Sequence, residues 1–172
     1  MGRPAGLRLT ALEDSHRPAL DPLLRSTAVF SDAEIAVAME LVESDDPDYQ
    51  FVAATVDDAL AGYACYGPTP GTDRGYDLYW IAVRPDAQKS GIGSALLAEV
   101  ESRVSGDNAR VVVIETSSRP SYEPTRRFYL RHGYAEVARV GEFYGVGDDR
   151  IVYSKRLQPA PRARGGGGDE SL

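Results

Sequence analysis

The chain has 172 residues, 42% apolar and 26% charged, with a formal net charge of −7. That length suits one domain with a full core, and the negative balance argues against general affinity for nucleic acid, favouring mild steering of cationic substrates instead. Cys65 is the lone cysteine, which excludes a disulfide frame and a cysteine metal site and fits a reducing cytoplasm.

In chain order, Leu7-Arg8-Leu9-Thr10 reads as a first strand. Residues 15–24 follow as a helix with Ala19, Leu20, Leu23 and Leu24 on its apolar face. Ser31 is an N-cap for the next helix. Glu34, three residues on, completes a capping box, and Ile35, Ala38, Met39 and Val42 form the core-facing stripe. Asp45-Asp46-Pro47-Asp48 reads as a solvated loop. Residues 51–56 and 59–66 flank Asp57-Asp58 as a hairpin, with Cys65 a small buried hydrophobe in its second strand. A turn-rich stretch, 67–75, leads back into a strand over 76–83, which Pro85 stops.

The turn Gln88-Lys89-Ser90-Gly91-Ile92-Gly93 comes next, and after it Ile92, Ala95, Leu96, Val100 and Val104 recur at helical spacing until Gly106, which is expected to end the helix. Glycines let the backbone pass close to a ligand, and the first N–H groups of a helix lack intrahelical partners at the positive end of its dipole. Together they suit a phosphate. The P-loop reading fails, because Gly93 is followed by Ser94-Ala95 and not by Lys-Ser/Thr; the dinucleotide fingerprint fails at Leu96, where it needs Gly or Ala. A connection that uses glycine for geometry alone stays open.

Arg110-Val111-Val112-Val113-Ile114-Glu115-Thr116 is apolar until its last two residues, as a parallel strand covered on both faces would be. Its terminal carboxylate is informative, because α/β sites form at the carboxyl ends of such strands. A further helix is expected to accommodate Pro124 in its first turn and to end at Gly133. Residues 134–140 and 150–157 read as a closing hairpin joined by a loop over 141–149. The Pro, Arg and Gly content from Gln158 onward predicts a disordered tail. No internal repeat is present. No apolar run matches a membrane span, the first six residues lack a signal-peptide core, and Gly6 is wrong for myristoylation, so a cytoplasmic protein without a membrane partner is expected.

Two stretches carry a resemblance. Gln-x-x-Gly-x-Gly after a strand ending in Val-x-Pro, at 83–93, resembles the pyrophosphate loop of the GNAT superfamily of N-acetyltransferases. Thr125-Arg126-Arg127-Phe128-Tyr129-Leu130-Arg131-His132-Gly133-Tyr134 resembles that family's second signature, a Phe-Tyr pair closing a helix before Gly-aromatic. The order β-α-α-β-β-β-α-β-α-β-β over about 7–157 matches the family fold: α/β, with a central mixed sheet flanked by helices. The expected division is an acetyltransferase domain over 1–157 and a tail over 158–172.

The resemblance implies acetyl-coenzyme A as co-substrate, held in a splay between the strands at 76–83 and 110–116. The backbone at Ile81 and Val83, either side of Ala82, would bond the pantetheine arm. Gln88, Lys89, Ser90, Gly91, Ile92, Gly93 and Ser94 would bind the diphosphate, with Arg84 and Lys89 either adding charge there or lying solvated. Tyr129 matches the tyrosine that many members use as general acid beside the sulfur; the alternative is an aromatic that packs its helix. Glu115 and Asp77 compete as general base. Glu115 stands where amino-terminal acetyltransferases of ribosomal proteins carry a glutamate, and Asp77 where histone acetyltransferases carry their carboxylate. Glu115 is slightly favoured, since charge closing an apolar strand needs an explanation. The Asn that many members carry at the start of the last helix is missing; Ser121-Tyr122-Glu123-Pro124 stands there.

The acceptor pocket is expected to draw on Phe30, Tyr79, Trp80, Phe143 and Tyr144, with Asp148-Asp149 either attracting a cationic amine or serving as turn residues. Such aromatics also serve core or dimer packing, which leaves room for a homodimer. His16 and His132 are isolated, so no metal site is expected, and His132 reads as a C-terminal capping charge. The implied activity is acetyl transfer to a primary amine of a small molecule, amino acid or peptide by direct attack in a ternary complex, no cysteine standing where an acetyl-enzyme would form. The alternatives are a non-catalytic coenzyme A-sensing module and transfer of a longer acyl group.

Overall fold

The computed structural model describes residues 4–44 and 46–157; the tail expected from Gln158 lies outside them, as does Asp45 of the expected solvated loop. One mixed sheet runs through the described residues in the order β1-β2-β3-β4-β5-β7-β6. Its strands are β1 (Leu7–Ala11), β2 (Gln50–Val56), β3 (Ala59–Pro68), β4 (Gly75–Val83), β5 (Val111–Ser117), β6 (Ala135–Gly145) and β7 (Asp148–Arg156). The helices are α1 (Arg17–Ser26), α2 (Asp32–Glu43), α3 (Ile92–Gly106) and α4 (Glu123–Arg131). Every neighbouring strand pair is antiparallel except β4–β5.

Local chemistry accounts for the element ends. Asp57 and Asp58 both take positive φ, 49° and 66°, as a two-residue hairpin turn requires. Ser31 Oγ accepts from the Glu34 N–H while Glu34 Oε2 accepts from the Ser31 N–H at 2.7 Å, the reciprocal box that starts α2. Gly133, at φ 85°, ends α4: its N–H bonds the Leu130 carbonyl and the Tyr134 N–H bonds the Tyr129 carbonyl. Alternation along the strands divides the core between the two faces of the sheet. Leu20, Leu23, Leu24, Ile35, Ala38 and Val42 cover Ala53, Tyr63 and Cys65 on one face. Leu96, Val100 and Val104 cover Ala54, Ala64, Val112 and Ile114 on the other, beside Tyr129 and Tyr134.

Four expectations change. Gly106 remains inside α3, and Asn108 ends it, at φ 60°, with Asn108 and Ala109 N–H groups bonding back to Ser105 and Val104; Asn tolerates the left-handed conformation. The helix at 15–24 is a 3-10 turn, Asp14–His16, followed by α1, with Pro18 in the first turn where a missing N–H is harmless. β5 is not a parallel strand covered on both faces. It is parallel to β4 over three residues and antiparallel to β7 throughout, and Glu115 is exposed. The loop expected over 141–149 shrinks to Val146-Gly147, because β6 continues to Gly145 through an irregular stretch in which residues 141–144 oppose Asp149 alone.

Candidate active site

The site begins where β4 and β5 separate. They pair only over Gly75–Asp77 and Val111–Val113. Just beyond, β4 carries a bulge: Cys65 faces Trp80 and Tyr66 faces Leu78, so Tyr79 has no opposite residue. A bulge bends its strand and increases its twist, which turns residues 80–83 away from β5. The Arg84 N–H bonds the Ala61 carbonyl at 2.9 Å, so by alternation Ala82–Tyr63 is a hydrogen-bonded pair. Ile81 and Val83 therefore direct their N–H and C=O groups into the gap, toward no strand.

The α3 entrance stands at the end of this free edge. Gly91, the N-cap, has φ 89° and no side chain caps the helix. The first intrahelical bond is from Ala95 N–H to the Gly91 carbonyl, which leaves the N–H groups of Ile92, Gly93 and Ser94 ahead of the ladder. Lys89 adopts φ 63°. Gln88 Nε2 donates to the Val83 carbonyl at 3.2 Å, and Ser90 Oγ donates to the Ala87 carbonyl. These side chains hold the turn's shape, and the Gln88 N–H bonds the Pro85 carbonyl. Arg84 is paired with Asp86 at 2.8 Å.

Two adjoining hollows fill the gap. The smaller, about 120 Å³, is lined by Ile81, Ala82, Val83, Gln88 and Tyr129 among others. The larger, about 640 Å³, reaches Ser31, Glu34, Asp77, Arg119, Tyr144 and Asp148. Phe30, Tyr79, Trp80, Glu115, Thr116 and Tyr122 line both. Of the expected acceptor aromatics, Phe30, Tyr79, Trp80 and Tyr144 thus come together. Phe143 does not line either hollow; it is half-exposed on β6 with the Arg150 guanidinium 4.7 Å from its ring centre.

Of the expected catalytic residues, Tyr129 lines the smaller hollow, Asp77 the larger and Glu115 both. Tyr129 is buried, and burial foremost, then the nearby Tyr122, raises its phenol above the ordinary tyrosine value. Its hydroxyl makes no hydrogen bond among the described residues. Glu115 lies 3.5 Å from Arg150, which answers the charge at the end of β5. Asp77 accepts a hydrogen bond from Thr69 Oγ1 at 2.7 Å. Asp148 is occupied by Ser117 Oγ at 2.5 Å, the Ser118 N–H and Arg119, while Asp149 is held by Arg139 and the Glu142 N–H. The Asp148-Asp149 pair therefore braces β7 against its neighbours and is not free to draw an amine.

Tyr122, Glu34 and Thr116 are among the lining residues that the sequence did not signal. Tyr122, where an Asn was sought, sends its hydroxyl to Glu34 Oε1 at 3.2 Å, and its pKa is pushed up to about 12, chiefly by burial. Glu34 belongs to a capping box, which hid its second role. Thr116 is 3% exposed and its Oγ1 has no partner; no local pattern signals that. His132 does cap its helix, Nδ1 lying 2.8 Å from the Phe128 carbonyl, and its Nε2 also reaches Ser94 Oγ. Among the described residues no group of three or more His, Cys, Asp and Glu is arranged to hold a metal, and no helix is long and apolar enough to cross a membrane.

Comparison with known proteins agrees with this geometry. Residues 47–136 match the family model described as an acetyltransferase (GNAT) domain. A curated relative, an N-acetyltransferase of Methanocaldococcus jannaschii that is itself uncharacterized, is 30% identical over 116 residues, 67% of this chain and 69% of its own. The crystal structure of a GNAT-family protein from Desulfovibrio desulfuricans is 44% identical, covers 87% of this chain and 98% of its own, and superposes with a TM-score of 0.83. An aminoglycoside 6'-N-acetyltransferase complexed with coenzyme A shares the fold at a TM-score of 0.73 and 21% identity, with 90% of this chain and 99% of its own covered.

Proposed function

The chain belongs to the GNAT family of acetyltransferases, and from that premise we propose that it moves an acetyl group from acetyl-coenzyme A to the primary amine of a small molecule, an amino acid or a peptide N-terminus, by direct attack within a ternary complex. The observation that carries the reading is the parting of β4 and β5, with Ile81 and Val83 aiming backbone groups that pair with no strand into the gap, the Val83 carbonyl held by Gln88 Nε2, beside an uncapped helix entrance. A long, amide-bearing arm ending in a diphosphate suits that cradle: the arm pairs with the β4 edge, and the phosphates take the amides from Lys89 to Ser94, the Gln88 N–H being held by the Pro85 carbonyl.

Bound there, acetyl-coenzyme A supplies an acetyl group activated as a thioester. Amide formation from the neutral amine breaks the C–S bond, makes a C–N bond and moves a proton from nitrogen to sulfur; an acceptor that arrives as an ammonium ion first releases one further proton to solvent. Glu115, which lines both hollows, takes the amine proton; Asp77 lines the larger hollow alone and is the second choice. Tyr129, kept neutral by burial, donates a hydrogen bond to the departing sulfur. Glu34 and Asp77 line the larger hollow without a cationic partner among the described residues and favour an acceptor that arrives as an ammonium ion.

Calorimetry with acetyl-coenzyme A, followed by thiol release against a panel of amines, tests the proposal. Binding with turnover on at least one amine is expected. No heat on titration would remove the cofactor assignment, and binding without turnover on any amine would favour a coenzyme A-sensing module.

A further inference from the structure

The polar side chains at the α3 entrance differ in what holds them. Gln88 Nε2 donates to the Val83 carbonyl and Ser90 Oγ to the Ala87 carbonyl, partners that only ever accept. Lys89 is exposed. Ser94 stands apart, because its partner is an imidazole nitrogen, which accepts or donates according to its protonation.

Two distances decide where the protons lie. His132 Nδ1 is 2.8 Å from the Phe128 carbonyl oxygen, so Nδ1 carries the hydrogen. In the neutral ring Nε2 is then an acceptor, and the Ser94 hydroxyl, 2.9 Å away, donates to it. Ser94 is the third residue of α3, and helical side chains lean toward the N-terminus. Its oxygen therefore shows lone pairs to the entrance, beside the N–H groups of Ile92, Gly93 and Ser94 that lie ahead of the ladder. An anion seated on those amides meets a lone pair where a proton would serve it. Protonation of the imidazole reverses this: Nε2 donates to Ser94 Oγ, and the hydroxyl proton is released toward the anion.

The surroundings favour that exchange when an anion is present. The half-buried imidazole bonds no carboxylate among the described residues. Arg131 adjoins it in α4, Lys89 lies in the turn, and Lys155 of β7 passes Gly133 with its ammonium held by Glu101 at 2.8 Å. The first turn of α3 holds no acid. A bound anion is thus the counter-charge that an imidazolium here lacks.

We propose that His132 is a positioning residue for the diphosphate, coupling cofactor binding through Ser94 to uptake of one proton from solvent onto Nε2. The inference rests on the acetyl-coenzyme A reading and adds to it a proton linkage. Each event favours the other, so affinity is highest in acid and falls as pH rises through the range in which histidines titrate, about pH 5 to 8.

Calorimetry with acetyl-coenzyme A tests this at pH 6, 7 and 8, each in two buffers of different ionisation heat, so that proton uptake is read directly. The wild type is compared with His132→Gln, which reaches toward Ser94 but does not titrate, and with Ser94→Ala. The coenzyme's own monophosphate titrates in the same range, and its share is common to all three proteins. Between pH 6 and 8 the wild type is expected to lose about tenfold more affinity than His132→Gln, a size usual for coupled sites. It is also expected to take up more protons, and Ser94→Ala to lose at least half of that excess. Parallel pH profiles for wild type and His132→Gln would overturn the proposal, and full excess uptake in Ser94→Ala would overturn the route through Ser94. A second measurement needs no variant of the bridge. The chain has two histidines, His16 and His132, and the NMR titration of the His132 ring, identified with His16→Gln, is expected to move to higher pH when the coenzyme is bound; an unmoved titration would also overturn the proposal. If the wild type binds no acetyl-coenzyme A at any pH, the cofactor reading itself fails, an outcome distinct from binding without proton uptake.

Discussion

His132 Nε2 and Ser94 Oγ lie 2.9 Å apart, although 38 residues separate them in the chain. The bond joins the last turn of α4 to the first turn of α3, and the imidazole also packs on Phe128 with ring centres 4.3 Å apart. Phe128 in turn lies under Gly93, where an added Cβ would stand 3.5 Å from its ring. One side chain thus ties the helix bearing Tyr129 to the turn assigned to the diphosphate.

Removing that tie has a predictable cost. His132→Ala loses two hydrogen bonds and a ring contact, and is expected to lower unfolding stability by about 1–3 kcal/mol and to weaken acetyl-coenzyme A binding several-fold. Urea unfolding and calorimetry check this; stability and affinity both at wild-type values would mean the bridge is incidental.

Gly91 sits at φ 89° at the start of α3, a conformation that costs an L-residue roughly 1–2 kcal/mol. Gly91→Ala is expected to lose about that much stability and to reduce acetyl-coenzyme A affinity by about tenfold or more, since a methyl group enters the helix entrance. An alanine variant that binds normally would contradict the assignment of this turn.

Tyr129→Phe and Glu115→Gln separate chemistry from binding. Each is expected to lower kcat by about a hundredfold or more while the coenzyme A dissociation constant stays within about twofold. Full activity in Glu115→Gln, with loss in Asp77→Asn, would transfer the role of base to Asp77.

Stability should fall in alkali. Burial, the leading cause at each, raises the phenols of Tyr63, Tyr66, Tyr79, Tyr122, Tyr129, Tyr134 and Tyr153 above the ordinary value of about 10. Above that pH the unfolded chain has released protons that the folded chain retains, so the stability these groups contribute is complete below about pH 10 and is lost as pH rises. For Tyr79 and Tyr122, pushed up to about 12, the window runs from about 10 to about 12. The thermal midpoint should therefore drop steeply above pH 10, with tyrosinate absorbance rising in the same transition. A midpoint unchanged to pH 11 would contradict this.

Much of the fold was legible because its signals are local. The Ser31–Glu34 box, the Asp57-Asp58 turn and the stop at Gly133 each depend on residues a few positions apart, and each stands where expected. The apolar spacing of α3 likewise predicted its buried face. Where Asn108 did the work expected of Gly106, two residues able to serve as terminator lay close together and the pattern did not choose between them. The 141–149 segment misled because its glycines and acids suggest a loop, whereas pairing with β7 makes most of it strand.

The sequence by itself determined the order of elements, the family, and the glycine-bearing helix entrance, because periodicity, caps and turns are written in neighbouring residues. Only the tertiary structure decided which groups at the site are free. It paired Glu115 with Arg150 and Asp148 with Arg119, turned Phe143 away from the cleft, and sealed Thr116 beside it without a partner. Charge pairing and burial depend on strand register and on contacts between distant segments, and no stretch of sequence carries those on its own.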